Sequence, residues 1–207
     1  SPGGSGYDFL ANNWADIGTA ALRSAYTFVS FDPRGVSRSA GVKCYDAKDT
    51  DHLLYDSNDA EPGSAEDIKL MRAELKTYVG ACQKNTGKVL GEIDTVSAAK
   101  DMDVIRAVLG DSKLNYLGFS YGTFLGTTYA SLFPDKVGRF VLDGAIDPRV
   151  SDEQQSINQL AGFDLALNNY LKDCVAHDST CPFKGGLWSA QQEVKQFLKK
   201  MERSTLP

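Results

Sequence analysis

Apolar positions along the chain fall into short continuous runs separated by stretches of helical spacing. Phe9, Leu10, Trp14, Ile17 and Leu22 predict a helix over residues 7–22. Tyr26-Thr27-Phe28-Val29-Ser30-Phe31-Asp32 is aromatic and β-branched and predicts a buried strand. Asp32-Pro33-Arg34-Gly35 then makes a turn, from which Arg34 is placed to pair with a carboxylate and brace the loops around it. Residues 40–63 are polar and aperiodic and read as a long surface loop. Ser64-Ala65-Glu66-Asp67 resembles a capping box, and Ile68, Met71, Leu75, Tyr78 and Cys82 follow on one helical face. Ala98, Met102, Ile105 and Leu109 predict a second helix over 95–109, stopped by Gly110. An apolar run from Leu114 leads into a helix that ends near Phe133-Pro134. Residues 139–142 form the next strand, closed by Asp143-Gly144. Strands alternating with helices predict a parallel sheet with helices on its faces. Sites on such sheets lie at the carboxyl ends of the strands, where Asp32, Ser120 and Asp143 fall. After Asp147-Pro148 the strand pattern stops and residues 151–207 are helical in spacing. The expected organisation is a partial α/β core over 1–148 and an incomplete helical cap over 149–207.

The junction at residues 114–123, Leu-Asn-Tyr-Leu-Gly-Phe-Ser-Tyr-Gly-Thr, carries the chemistry. It reads G-x-S-x-G between a strand and a helix, the context in which this motif forms a sharp turn that lifts a serine hydroxyl clear of the sheet. Side chains at Gly118 and Gly122 are expected to collide with the neighbouring backbone. Gly122, Gly126 and Ala130 recur every fourth residue and give a bare stripe able to lie close to a sheet. Ser120 is therefore the candidate nucleophile. Ser1-Pro2-Gly3-Gly4-Ser5-Gly6 is either a flexible linker or a loop whose backbone N–H groups approach a substrate oxygen. A nucleophile serine about 115 residues later favours the second reading.

A serine hydroxyl needs a histidine to take its proton and a carboxylate to orient that histidine, in the order serine, acid, histidine on this kind of sheet. The chain has two histidines. His52 lies beside Asp49 and Asp51 and reads as solvated rather than as a metal ligand. His177 reads as a surface-loop residue. Asp143 is the candidate acid within the chain, although Asp143-Gly144 is equally a strand-ending turn. No metal or cofactor is expected. A nucleophile without its base makes the chain read as a fragment of a larger hydrolase.

Composition narrows the partners. A net charge of -5 and a pI near 5.1 argue against nucleic acid or an anionic membrane. No apolar stretch approaches the ~18 residues needed to span a bilayer. Cys44, Cys82, Cys174 and Cys181 are even in number and lack C-x-x-C spacing. The economical pairing is 44–82 with 174–181, which implies an oxidising compartment; four reduced buried thiols are the alternative.

Four segments taken together carry a resemblance: Pro2-Gly3-Gly4-Ser5-Gly6, Phe31 to Ser39, Leu114 to Thr123, and Val141 to Pro148. They look like the secreted tripeptidyl aminopeptidases, relatives of the prolyl aminopeptidases among the α/β-hydrolases. The likeness runs from residue 2 to about 150 and is looser in the cap. It implies an α/β-hydrolase fold and a serine exopeptidase that takes peptides and releases short ones from free amino termini outside the cytoplasm. It implies Ser120 as nucleophile, with the N–H of Tyr121 and one N–H of the Gly3-Gly4 stretch as the oxyanion hole. It also implies the disulfides 44–82 and 174–181. The part of that family carrying the acid and the histidine has no counterpart in these residues, so the missing carboxyl-terminal part of the fold is an expected partner. An esterase or lipase of the same fold, and a non-catalytic hydrolase-like binding protein, are the rival readings.

Overall fold

The structure, a computed structural model, describes residues 3–56, 58, 60–177 and 179–201. Ser1 and Pro2 of the glycine-rich opening, and residues 202–207 of the expected cap, lie outside the described residues. The chain divides into two compact units, Ser1–Pro148 and Arg149–Pro207.

The first unit is built on a parallel pair, β1 (Leu114–Phe119) and β2 (Val137–Asp143). They are joined through α6 (Tyr121–Leu132) and the short 3₁₀ turn Pro134–Lys136. The register runs from Leu114 opposite Val137 to Phe119 opposite Asp143, with one shift between Leu114 and Tyr116. At that shift the Asn115 side-chain oxygen accepts from the Arg139 N–H at 3.0 Å, replacing a ladder bond. Helix α6 packs on the pair and α5 (Thr95–Val108) packs against α6; Asp94 caps α5 by accepting from the Ser97 N–H. Gly110, at φ +79°, ends that helix turn in the left-handed region. The core consists of Ala98, Ala99 and Met102 of α5 with Leu125 and Tyr129 of α6, flanked by Leu114, Tyr116, Val137 and Phe140 of the strands and by Phe31 and Phe133. Tyr129 is fully buried, and its hydroxyl donates to Asp103 at 2.9 Å. Burying a ring of this size contributes roughly 2–3 kcal/mol.

Three regions differ from their sequence reading. The helix expected over 7–22 is two helices, α1 (Gly6–Asn12) and α2 (Ala20–Ala25). The Asn13 side chain donates to the Phe9 carbonyl and ends the first; Gly18 at φ +70° and the Thr19 cap start the second. Residues 26–32 are extended but pair with no strand among the described residues, and their side chains alternate between half-buried and exposed. One face is anchored: Phe28 meets Trp14 edge-on at 5.6 Å, and Phe31 joins the core. Within the expected loop 40–63 lies α3 (Ala47–Tyr55), capped by Asp46. Its larger apolar residues bunch at Leu53, Leu54 and Tyr55 rather than recurring as a stripe, which is why apolar spacing misses it; the Asp46 cap is its local signal. α4 (Ala65–Thr86) starts at Ser64, whose hydroxyl accepts from the Asp67 N–H at 3.2 Å. Cys82 near its end is bonded to Cys44. Closing a loop of that length removes about 4 kcal/mol of unfolded-state entropy.

The second unit is a helical hairpin of α7 (Asp152–His177) and α8 (Leu187–Met201), stapled at its turn by Cys174–Cys181. Leu171 and Ala190 are fully buried between the helices, and Gln191 donates to Asn168 at 2.6 Å. No helix of the described residues is long and apolar enough to cross a membrane.

Candidate active site

Ser120 sits between the last residue of β1 and the first of α6, at φ 52° and ψ −118°. A non-glycine residue there is strained by about 1–3 kcal/mol, held by what surrounds it. Two backbone bonds hold it: the Ser120 N–H donates to the Asp143 carbonyl at 2.9 Å, and the Thr123 N–H donates to the Ser120 carbonyl at 2.9 Å. The Thr123 hydroxyl adds a second bond to that carbonyl at 2.7 Å. Ser120 itself is exposed, and its hydroxyl caps no N–H of α6.

The two flanking glycines are not equivalent. A Cβ on Gly118 would lie 2.6 Å from the Gly122 carbonyl oxygen, a backbone clash that cannot relax locally. A Cβ on Gly122 would meet only the Tyr116 hydroxyl, at 3.3 Å, a tight but yielding contact. The expected stripe on α6 is real at Gly126, where a Cβ would lie 2.6 Å from the Tyr116 ring and 2.9 Å from Leu142. Tyr116 ties these parts together: its hydroxyl donates to the Gly122 carbonyl at 2.7 Å. Burial pushes its pKa up to about 12, so the donor stays protonated throughout the working range.

Tyr121 opens α6, and its N–H is among the first-turn donors that α6 leaves without an intrahelical acceptor. Its phenol and the Thr95 hydroxyl, at the first residue of α5, are 2.6 Å apart. Gly3 and Gly4 are exposed; Gly3 is left-handed at φ +79° with open space where a Cβ would stand. Ser5 and Gly6, by contrast, are tightly held. Ser5 caps α1 by accepting from the Asp8 N–H at 3.0 Å and donates its own proton to Asp32 at 2.5 Å. A Cβ on Gly6 would collide with the Phe31 carbonyl oxygen, and the Gly6 carbonyl accepts from the Ser30 hydroxyl at 2.7 Å. Phe9 of α1 packs against Phe119, the residue before Ser120, with ring centroids 6.1 Å apart.

Asp32 is the hub that sequence reasoning treated as turn chemistry. It is buried and accepts from the Ser5 hydroxyl, the Tyr7 N–H, and the Arg38 N–H and guanidinium. The Ser5 bond, followed by those of Arg38 and Tyr7, outweighs burial and holds its pKa at about 2, down from 3.8. Its folded value lies below its unfolded one, so its contribution to stability is complete above about pH 4 and fades as pH falls through about 2. The destabilisation caused by Asp32→Asn therefore shrinks between about pH 4 and pH 2, measurable by thermal melts of both proteins across that range. Arg34 meets its expectation: it bonds Asp101 of α5 at 2.8 and 2.7 Å and the Glu92 carbonyl at 3.1 Å.

Asp143 lies beside Ser120 through its carbonyl, with its carboxylate exposed. Both histidines are exposed and pair with an aspartate one helical turn away, His52 with Asp56 and His177 with Asp173. The structure thus brings Ser120, Tyr121 and Asp143 to one sheet end and anchors the chain after Gly3-Gly4 on residues 30–32.

Residues 2–180 match the family described as the alpha/beta hydrolase fold. The serine protease Hip1 of Mycobacterium tuberculosis is 40% identical over 189 residues, 88% of this chain and 35% of the relative. The tripeptidyl aminopeptidase of Streptomyces coelicolor is 43% identical over 148 residues, 71% of this chain and 27% of the relative. Carboxylesterase B of Mycobacterium tuberculosis is 39% identical over 193 residues, 92% of this chain and 36% of the relative. The chain spans about a third of the length of these curated relatives.

Proposed function

The chain belongs to the alpha/beta hydrolase fold family, and on that premise we propose that the protein carrying it is an exported serine peptidase. It releases short peptides, tripeptides foremost, from free amino termini through an acyl-enzyme on Ser120. One observation carries the reading: a strained, exposed serine on a strand-to-helix turn, with its own N–H and carbonyl fixed by Asp143 and Thr123. The relatives named as a serine protease and a tripeptidyl aminopeptidase support peptide as the substrate class.

The Ser120 oxygen attacks the scissile carbonyl, and the tetrahedral oxyanion is held by the N–H of Tyr121 and an N–H of Gly3 or Gly4. One such donor is worth on the order of 10²–10³ in kcat. Collapse of that intermediate expels the amine and leaves the acyl-enzyme, which water then cleaves. The histidine base comes from sequence outside these residues. The share of the relatives that the chain covers, about a third, supports this. Asp143 is the in-chain candidate for the acid; an acid from outside competes with it. Residues 149–207 serve as the start of a helical cap. The two disulfides support an extracytoplasmic compartment.

The relative named carboxylesterase B favours a second reading, an esterase with the same nucleophile. The test uses the full-length gene product with a fluorophosphonate probe, a tripeptidyl amide with a free or a blocked amino terminus, and a p-nitrophenyl ester. The peptidase reading expects label on Ser120 and a kcat/KM for the free tripeptidyl amide at least 100-fold above the blocked one. Turnover of the ester alone establishes the esterase, and an unlabelled protein a binding role.

A further inference from the structure

We propose that Asp32 is a positioning residue for the glycine loop, acting through the hydroxyl of Ser5 to aim the N–H groups of Gly3 and Gly4. This rests on the reading of those glycines as oxyanion donors.

Gly3 and Gly4 are exposed, and open space lies where a Gly3 Cβ would stand. The chain becomes rigid at Ser5, the next residue. Its hydroxyl bridges the Asp8 N–H and the Asp32 carboxylate, and its carbonyl accepts from the Phe9 N–H at 3.0 Å. The other Asp32 oxygen takes the Arg38 N–H at 3.1 Å and guanidinium at 3.3 Å. Arg38 also grips Asp8 at 2.9 Å and covers the Tyr7 ring at 4.3 Å. A single buried carboxylate therefore joins the loop before α1 to the turn at 33–38.

That turn is itself pinned to α5 by Arg34 and Asp101, and α5 holds the Tyr121 phenol through Thr95. The two candidate donor groups, far apart in sequence, are thereby referred to one rigid helix. Donors that act on a transition-state oxygen must be aimed before the charge appears, since they contribute little if they reorganise during the reaction. Losing the Ser5–Asp32 bond frees the loop without touching Ser120 or the bonds that hold it. The predicted signature is a loss in kcat, with KM held.

The experiment measures kcat, KM, the rate of fluorophosphonate labelling and the melting temperature of the full-length protein and of Asp32→Asn, Ser5→Ala, Ser5→Thr and the Asp32→Asn/Ser5→Ala double variant. Asp32→Asn and Ser5→Ala are each expected to lower kcat and the labelling rate about 10- to 100-fold with KM within about threefold. The double variant is expected to have a kcat close to that of the more damaging single one, because the Ser5–Asp32 bond is the one both perturb, while its melting temperature falls further, since Ser5 also caps α1 and Asp32 also takes Tyr7 and Arg38. Ser5→Thr keeps the hydroxyl and restores kcat to within about threefold. Should Asp32→Asn fail to fold, Ser5→Ala against Ser5→Thr decides alone, since Asp32 then retains its other donors. The inference is overturned if folded Ser5→Ala keeps wild-type kcat and labelling, or if kcat and KM move together with the melting temperature. Wild-type turnover by Ser120→Ala would instead overturn the serine mechanism itself, a separate outcome.

Discussion

If the proposed peptidase reading holds, Ser120→Ala in the full-length protein is expected to lower kcat on a tripeptidyl amide by on the order of 10⁴- to 10⁶-fold and to leave its melting temperature unchanged. The two halves of this expectation come from different features. The loss follows from the chemistry: without the hydroxyl no acyl-enzyme forms, and only binding and oxyanion stabilisation remain. The unchanged stability follows from the surroundings. Ser120 is held by its backbone N–H and carbonyl, and its exposed side chain caps nothing. Alanine adopts the same φ of 52° at the same cost as serine. Single-turnover kinetics and thermal melts of the two proteins check both halves; a residual rate within tenfold of wild type removes Ser120 from the mechanism.

The second large effect is structural. Gly118→Ala is expected to cost about 3 kcal/mol, lowering the melting temperature by about 6–12 °C for a domain of 150–250 residues. The new methyl group would sit 2.6 Å from the Gly122 oxygen and 2.7 Å from its carbonyl carbon. Those are backbone atoms of the helix that carries Tyr121, so the turn must open. A displacement of about 1 Å at the nucleophile costs roughly 100-fold in rate even in the fraction that folds. Gly122→Ala is the control. Its nearest neighbour is the Tyr116 hydroxyl at 3.3 Å, and the expected cost is about 1 kcal/mol. Equal melting temperatures for the two variants would contradict the geometry described for this turn.

Much of the first unit was legible because its signals are local. The strand-turn-helix at 114–132, the helix over 95–108 and its glycine stop are each announced by spacing and by one or two special residues. So was Arg34, whose charge demanded a partner and found Asp101. What stayed hidden depends on partners distant in sequence or on competition between signals. Apolar residues at 10, 14 and 17 continue a helical spacing straight through the break, and only Gly18 followed by Thr19 marks the restart. Residues 26–32 have the composition of a buried strand, yet alternate side chains are exposed and no described strand lies alongside. α3 shows itself through Asp46 and Asp49 at capping distance, a signal masked by the surrounding acidic residues. Asp32 was visible as a strand-end aspartate, but its bonds to Ser5 and Tyr7 close only when residues 25 to 27 positions apart fold together. The inequality of Gly118 and Gly122 was also out of reach, because it depends on how closely the turn brings the Gly122 carbonyl back over Gly118.

Apart from Phe31, every residue of the main apolar core lies between Ala98 and Phe140. A nucleus so compact along the chain closes short loops, and short loops carry a small entropic penalty and form quickly. During synthesis the support beneath the serine can therefore assemble as soon as this stretch clears the ribosome. The Ser5–Asp32 clasp, whose partners are 27 positions apart and are made first, docks on that platform through Phe31, so an error in that docking would misplace the glycine loop while leaving the core intact.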